Sequence, residues 1–240
     1  MYREKKFKAI ILAGGSGKRM ESDLSKQYLP IYGRPMLYYS LAAFEKSPVD
    51  GIILVTAESE ESYCQKELVE KYQLGKVERI ITGGRERYHS TAKGLAAAGA
   101  CDYVLIHDAA RPCLSQEVIL RCLDTVIEHG ACTAGIKAVE TIGRTDDSQK
   151  IIEIPNRNHL WTVQTPQCFR YADIHKAHQM LAAAEKNMSV HEKAMITDDV
   201  RIIQEYLGKE VYMAEGAYEN IKVTTPTDLK IAELFLKNHS

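Results

Sequence analysis

Phe7-Lys8-Ala9-Ile10-Ile11-Leu12-Ala13-Gly14-Gly15-Ser16-Gly17-Lys18-Arg19-Met20 is the segment on which the reading of the fold turns. Its first six residues, Phe7–Leu12, have the length and apolar character of a buried strand. They run directly into a loop with three glycines and two adjacent cations. In an open α/β sheet, ligands bind beyond the carboxyl ends of the strands, which is where this loop would lie. Glycines let backbone N–H groups approach an anion closely, and Lys18 and Arg19 supply charge, so a phosphorylated ligand is expected. Spacing excludes two common phosphate loops. A Walker loop fails because Lys18 is followed by Arg19 and no glycine stands five before Gly17, and a Rossmann fingerprint fails because Met20 occupies the third glycine position.

Moving outward, apolar runs of five to seven residues alternate with segments of helical period, as in a parallel sheet covered by helices. Strands are expected at Phe7–Leu12, Ile52–Thr56, Val77–Thr82, Tyr103–His107 and Thr133–Val139. Helices are expected at Met36–Lys46, Glu60–Tyr72, Tyr88–Ala98 and Gln116–His129, the last capped by Ser115. After Val139 the rhythm breaks. Asp146-Asp147-Ser148 is a turn signal between Glu140–Arg144 and Lys150–Ile154, so residues 140–157 read as a β-hairpin arm. An isolated hairpin is marginal in water and must lie against something. Helices at Tyr171–Glu185 and Asp198–Leu207, a strand at Glu210–Ala214, an extended Ile221–Val223 and a helix from Pro226, with Thr225 as cap, complete the expectation. The fold class is α/β: a Rossmann-like, mostly parallel twisted sheet flanked by helices, with the arm protruding from a single domain spanning residues 1–240.

Composition restricts function. With 45% hydrophobic and 26% charged residues, 15 Gly and 7 Pro, the 240-residue chain is an ordinary globular domain. A net charge of -1 provides no global field for a nucleic-acid backbone, so any anion site must be local. No apolar run approaches the ~20 residues of a membrane span, and no targeting segment is visible. Six cysteines without a C-x-x-C pair read as reduced thiols in a cytoplasmic protein. His175 and His178 read as a surface pair rather than a metal site, for want of a third ligand.

Further segments sharpen the ligand. Leu12-x-Gly-Gly-x-Gly-x-Arg-Met followed by Lys26-Gln27 resembles the signature of sugar and polyol phosphate nucleotidyltransferases. Thr82–Ser90, with Gly83-Gly84-Arg85-Glu86-Arg87, follows the third strand, and His107-Asp108-Ala109-Ala110-Arg111-Pro112 follows the fourth. Trp161–Phe169 and Glu219–Thr224 come later. Together the five segments resemble the 2-C-methyl-D-erythritol 4-phosphate cytidylyltransferase family of the non-mevalonate isoprenoid pathway, over roughly residues 9–235. The resemblance implies that Ala13, Gly14 and Gly15 face the nucleotide, with Arg19 and Lys26 on its phosphates. It implies that Gly83, Arg87 and Ser90 enclose the cytosine, and that Asp108, beside Ala109, holds Mg²⁺ as cofactor with CTP as co-substrate. Asn220 and Lys222 would complete the site, the lysine as a further phosphate cation. Arg19, Lys26 and Lys222 are then the catalytic cations. Thr141, Arg157, Thr165 and Thr197 would bind the polyol phosphate, the first two from the arm of a partner in a homodimer.

Two features point elsewhere within the same chemistry. Leu12-Ala13-Gly14-Gly15 replaces the Pro-Ala-Ala-Gly of many members, and with Ile154-Pro155-x-Arg157 it resembles ribitol-5-phosphate cytidylyltransferases, which feed wall teichoic acid. Glu140 stands where an aspartate is usual. Ribitol phosphate is therefore the alternative acceptor, and a non-catalytic nucleotide-binding protein is the alternative from another class.

Overall fold

The computed structural model describes residues 1–15 and 25–237. In chain order, the first half comprises β1 (Phe7–Leu12), β2 (Pro30–Ile31), β3 (Arg34–Pro35), α1 (Met36–Lys46), β4 (Gly51–Thr56), α2 (Glu61–Cys64), β5 (Val77–Thr82), α3 (Arg87–Ala98), β6 (Tyr103–Asp108) and α4 (Gln116–His129). The second half comprises β7 (Ala131–Lys137), β8 (Arg144–Thr145), β9 (Ile151–Glu153), β10 (Trp161–Arg170), α5 (Tyr171–Ala184), α6 (Val190–Ala194), α7 (Asp199–Leu207), β11 (Tyr212–Glu215) and α8 (Pro226–Lys237).

Seven strands form one sheet in the order β11-β7-β10-β6-β1-β4-β5. The β1, β4, β5 and β6 ladders are parallel, and β10 runs antiparallel between β6 and β7. Central strands of such a sheet are covered on both faces, which is why β1, β4 and β6 are apolar almost throughout and nearly fully buried. Phe7, Ile11, Leu41, Phe44 and Leu105 belong to the core cluster that includes residues of α1 and α4; Ile10, Ile53 and Ile106 belong to the one that includes residues of α3, α5 and α7.

Most expected elements form near where the periodicity places them, β2, β3 and α6 form where none was expected, and four further differences bear on the fold. β10 is a ten-residue strand where the sequence offered only a motif; its Thr165–Pro166 bond is cis, and its pairing with β7 shifts register between Val163 and Gln167. The arm hairpin shrinks to β8 and β9, because residues 138–143 join no strand. After Cys64 the helix continues in π form over Gln65–Glu70. Ile221–Val223 joins no ladder, although the Val223 N–H donates to the Ala110 carbonyl at 2.8 Å, tying the segment to the loop after β6. As expected, Ser115 accepts from the Val118 N–H, and Thr225 accepts from the Asp228 N–H.

Candidate active site

The carboxyl ends of β1, β4 and β6 lie side by side, and the loops leaving them define a cleft of about 410 Å³. Ala13, Gly14, Gly15, Lys26, Arg87, Ser90, Asp108, Ala109 and Lys222 all line it. Residues far apart in sequence thus converge on the rim that the glycine loop marked. Arg19 lies outside the described residues. A larger cleft of about 630 Å³, against α1 and the Pro112–Glu117 segment, contains none of these residues, so size alone does not locate the chemistry.

Gly14 explains one departure from the commoner loop. A Cβ there would lie 3.1 Å from the Thr56 carbonyl at the end of β4, so glycine lets the loop sit closer to the sheet edge. Gly83 has a similar function rather than lining the cleft. Its N–H donates to the Thr56 carbonyl at 2.8 Å, and a Cβ would lie 2.7 Å from Ser90 Oγ. The Ser90 hydroxyl in turn accepts from the Gly84 N–H at 3.0 Å, holding the loop before α3.

Asp108 is the electrostatic centre. Oδ2 accepts from Lys222 Nζ at 2.7 Å, and Oδ1 accepts from Arg87 Nε at 3.2 Å. Burial alone would push its carboxyl up, but the Arg87 and Lys222 charges outweigh it and hold the group well below the usual carboxylate range. Arg87 lines the cleft but is held from behind: its NH1 also donates to Asp199 Oδ2 at 2.6 Å. Asp199 is fully buried at the start of α7, where its own N–H donates to Gln167 Oε1 and its Oδ1 meets His178 Nε2 at 3.1 Å. His178 is therefore not half of a surface pair. It is 3% exposed and pairs with a carboxylate, whereas His175 stacks on Tyr171.

A second chain of contacts supports Asp108 from behind. The Asp108 N–H donates to Thr165 Oγ1 at 3.1 Å, and Thr165 Oγ1 meets His107 Nδ1 at 2.9 Å. His107 Nε2 lies 3.2 Å from the Arg111 carbonyl, which can only accept, so Nε2 carries the proton and Nδ1 accepts from the threonine hydroxyl. Thr165 thus braces Asp108, while also lining a side pocket of about 140 Å³ shared with Thr197, Arg87, Asp108 and Lys222. Asn220 is fully buried: its Nδ2 donates to the Thr165 carbonyl at 2.9 Å and its main-chain carbonyl accepts from Arg111 NH1 at 2.7 Å. It fixes the segment that delivers Lys222 rather than facing the cleft. Within one chain, Thr141 and Arg157 reach neither pocket; both are exposed on the arm, where Arg157 NH1 donates to the Val139 carbonyl.

Burial pushes His107 down to about 4, so it is neutral at ordinary pH. The unfolded chain, with histidine near 6.5, then binds the proton first. Stability contributed by neutral His107 is complete above about 6.5 and is lost as pH falls toward about 4. Urea unfolding at pH 7.0 and at ~4.5 should show about 2–3 kcal/mol more acid destabilisation in the natural chain than in His107→Gln. Equal losses would mean that His107 is not the titrating group.

Comparison with known proteins bears on this geometry. The family model described as IspD, 2-C-methyl-D-erythritol 4-phosphate cytidylyltransferase, matches residues 7–238. The chain belongs to this family. A relative of that name from Clostridium botulinum (strain Eklund 17B / Type B) is 46% identical over 226 residues, covering 94% of this chain and 96% of the relative. One from Clostridium kluyveri is 43% identical, covering 96% of each. The crystal structure of 4-diphosphocytidyl-2C-methyl-D-erythritol synthase from Anaerococcus prevotii superposes with a TM-score of 0.82 at 31% identity, covering 97% of this chain and 96% of that one. The cytidylyltransferase family therefore accounts for nearly the whole chain. The names of these relatives support the methylerythritol reading.

Asp108, Lys26 and Lys222 suit the chemistry of such an enzyme. Asp108 offers ionised hard oxygens at the cleft wall. Magnesium binds through one or two carboxylates, leaving its other positions to substrate phosphates and water, so the donor set fits that ion. Sequence reasoning missed Asp199, His178 and Gln167. Asp198-Asp199 signalled a helix start, but nothing in the sequence distinguishes the capping Asp198, which accepts from the Arg201 N–H, from the buried Asp199 beside it.

Proposed function

We propose that this chain transfers the cytidylyl group of CTP to 2-C-methyl-D-erythritol 4-phosphate, releasing pyrophosphate and 4-diphosphocytidyl-2-C-methyl-D-erythritol. The convergence of Lys26, Lys222 and Asp108 on one cleft, in a chain of this family, carries the reading. The acceptor phosphate attacks the α-phosphorus in line. The new P–O bond forms as the bond to the β-phosphate oxygen breaks, and the electron pair leaves on pyrophosphate. No protein nucleophile is needed, because the acceptor is already an anion.

The difficulty is electrostatic: two polyanions must meet in a partly desolvated cleft. Lys26, Lys222 and Arg19 are assigned to the phosphates, where positive charge placed before reaction stabilises the charge that builds during it. Asp108 would hold Mg²⁺, which when bound neutralises triphosphate charge. Arg87, fixed between Asp108 and Asp199, orients that carboxylate. Thr197, which lines the side pocket beside Lys222, is assigned to the polyol, while Thr165 braces the pocket wall.

The arm belongs to a homodimer in this reading. Val139, Ile142, Ile151, Ile152 and Ile154 expose 44–61% of their surface along it, an apolar concentration that a second subunit would cover. Thr141 and Arg157 would then serve the partner's site, the guanidinium gripping the acceptor phosphate through paired N–H groups. Arg157→Ala should raise the KM for the polyol phosphate at least tenfold while leaving CTP affinity within about twofold. A change confined to CTP affinity would remove the arm from the acceptor site. The cytoplasmic setting is part of the same reading, supported by six cysteines all present as free thiols.

The test is transfer of label from [α-³²P]CTP to methylerythritol phosphate and to ribitol phosphate in parallel. Rapid labelling of the first acceptor and at most a trace of the second is expected. Preference for ribitol phosphate, or CTP binding without turnover on either, would overturn the assignment.

A further inference from the structure

Three of the six cysteines meet in the core, away from the nucleotide cleft, and the transfer reaction uses none of them. Cys132 of β7 and Cys168 of β10 are directly paired across the antiparallel ladder, and Cys122 of α4 packs over them. Their Sγ atoms all lie within 4.8 Å of one another, and all three residues are 0% exposed. The cluster also contains Leu123, Val126 and Ala214, so its surroundings are apolar. The Cys132 thiol donates to the Cys122 carbonyl at 3.4 Å.

A trivalent arsenic bound by three sulfurs is pyramidal and holds them closer together than the 4.8 Å within which these thiols lie, so capture draws the three side chains inward. Soft ligands of this kind select soft ions. An apolar interior further demands that the complex carry no net charge. Three thiolates around a monovalent or divalent ion leave an uncompensated negative charge, whereas around a trivalent ion the charges cancel. We propose that Cys122, Cys132 and Cys168 form a three-sulfur capture site for a soft trivalent ion of the arsenic(III) class. Capture of As(OH)₃ needs no oxidant or reductant. Three As–O bonds break as three As–S bonds form, each thiol proton leaves with a hydroxide, and three waters are released for each ion bound.

Sodium arsenite is the probe, applied to the full chain in the folded state and, because the thiols are shielded, also during refolding from urea. Intact-mass measurement should show one adduct equal to arsenic less three hydrogens. A ligand that favours the folded over the unfolded chain raises the melting temperature, here by about 3 °C or more at saturating arsenite. Cys168→Ala and, independently, Cys122→Ala should lose both effects, and Cys101→Ser, outside the trio, should keep both. Absence of the adduct by either route, loss of only two hydrogens, survival of the adduct in the folded alanine variants, or a melting temperature lowered by arsenite would each overturn the site.

Discussion

Lys222→Ala should lower kcat for cytidylyl transfer by about two decades or more, on the order of 3 kcal/mol of transition-state stabilisation, with a much smaller change in the KM for CTP. The ammonium group sits 2.7 Å from Asp108 Oδ2 on a cleft wall shared with Lys26, and its side chain is 42% exposed. That exposure makes it a poor contributor to stability, so the variant should fold normally and report on chemistry. Lys26→Ala should behave alike. Steady-state kinetics with both substrates varied separates the outcomes. A kcat within about fivefold of the natural chain would show that these cations do not meet the charge that builds in the transition state.

Asp199→Ala should act on stability instead. Asp199 is fully buried and holds Arg87 at 2.6 Å and His178 at 3.1 Å, while His178 Nδ1 is a buried atom with no hydrogen-bond partner among the described residues. Removing one partner of a buried ionic contact strands the other, which costs about 3–5 kcal/mol. For a chain of this length the melting temperature should fall by roughly 10 °C. Asp199→Asn, which keeps the shape and loses the charge, should fall between the two. A loss below about 1 kcal/mol would mean that the Asp108 ion pair alone satisfies Arg87, and that Asp199 does not position the cleft carboxylate.

Sequence periodicity made much of the fold legible because β1, β4 and β6 are apolar and nearly uninterrupted, and β5, though broken by Glu78 and Arg79, runs into the glycines of Gly83-Gly84. β10 escaped for the opposite reason. A central antiparallel strand reading Thr-Val-Gln-Thr-Pro-Gln-Cys shows neither an apolar run nor clean alternation, and an internal proline argues against a strand. Gln164, Thr165 and Gln167 are nevertheless buried, because their side chains bond neighbouring segments: Thr165 braces Asp108, Gln164 donates to the Ala217 carbonyl, and Gln167 receives the Asp199 N–H.

The candidate site divides in the same way. Cations and glycines in short local motifs were readable, and the structure brings Lys26, Arg87, Asp108 and Lys222 to one cleft. The pairing of Arg87 with Asp199, 112 residues apart, depends on how α7 packs against α3 and α5 and leaves no local signal. Asn220 and Thr165 illustrate a subtler limit. Their motifs marked the right region, but the structure gives their side chains to the frame behind the cleft.

At the centre is the claim that fixed positive charge at the rim of the sheet lets two phosphate esters react. A crystal structure with CTP bound tests it most directly. The triphosphate is expected in the cleft between the Ala13-Gly14-Gly15 loop and Asp108, with Lys26 and Lys222 within hydrogen-bond distance of phosphate oxygens. A triphosphate bound away from both lysines, for instance in the larger cleft against α1, would contradict it.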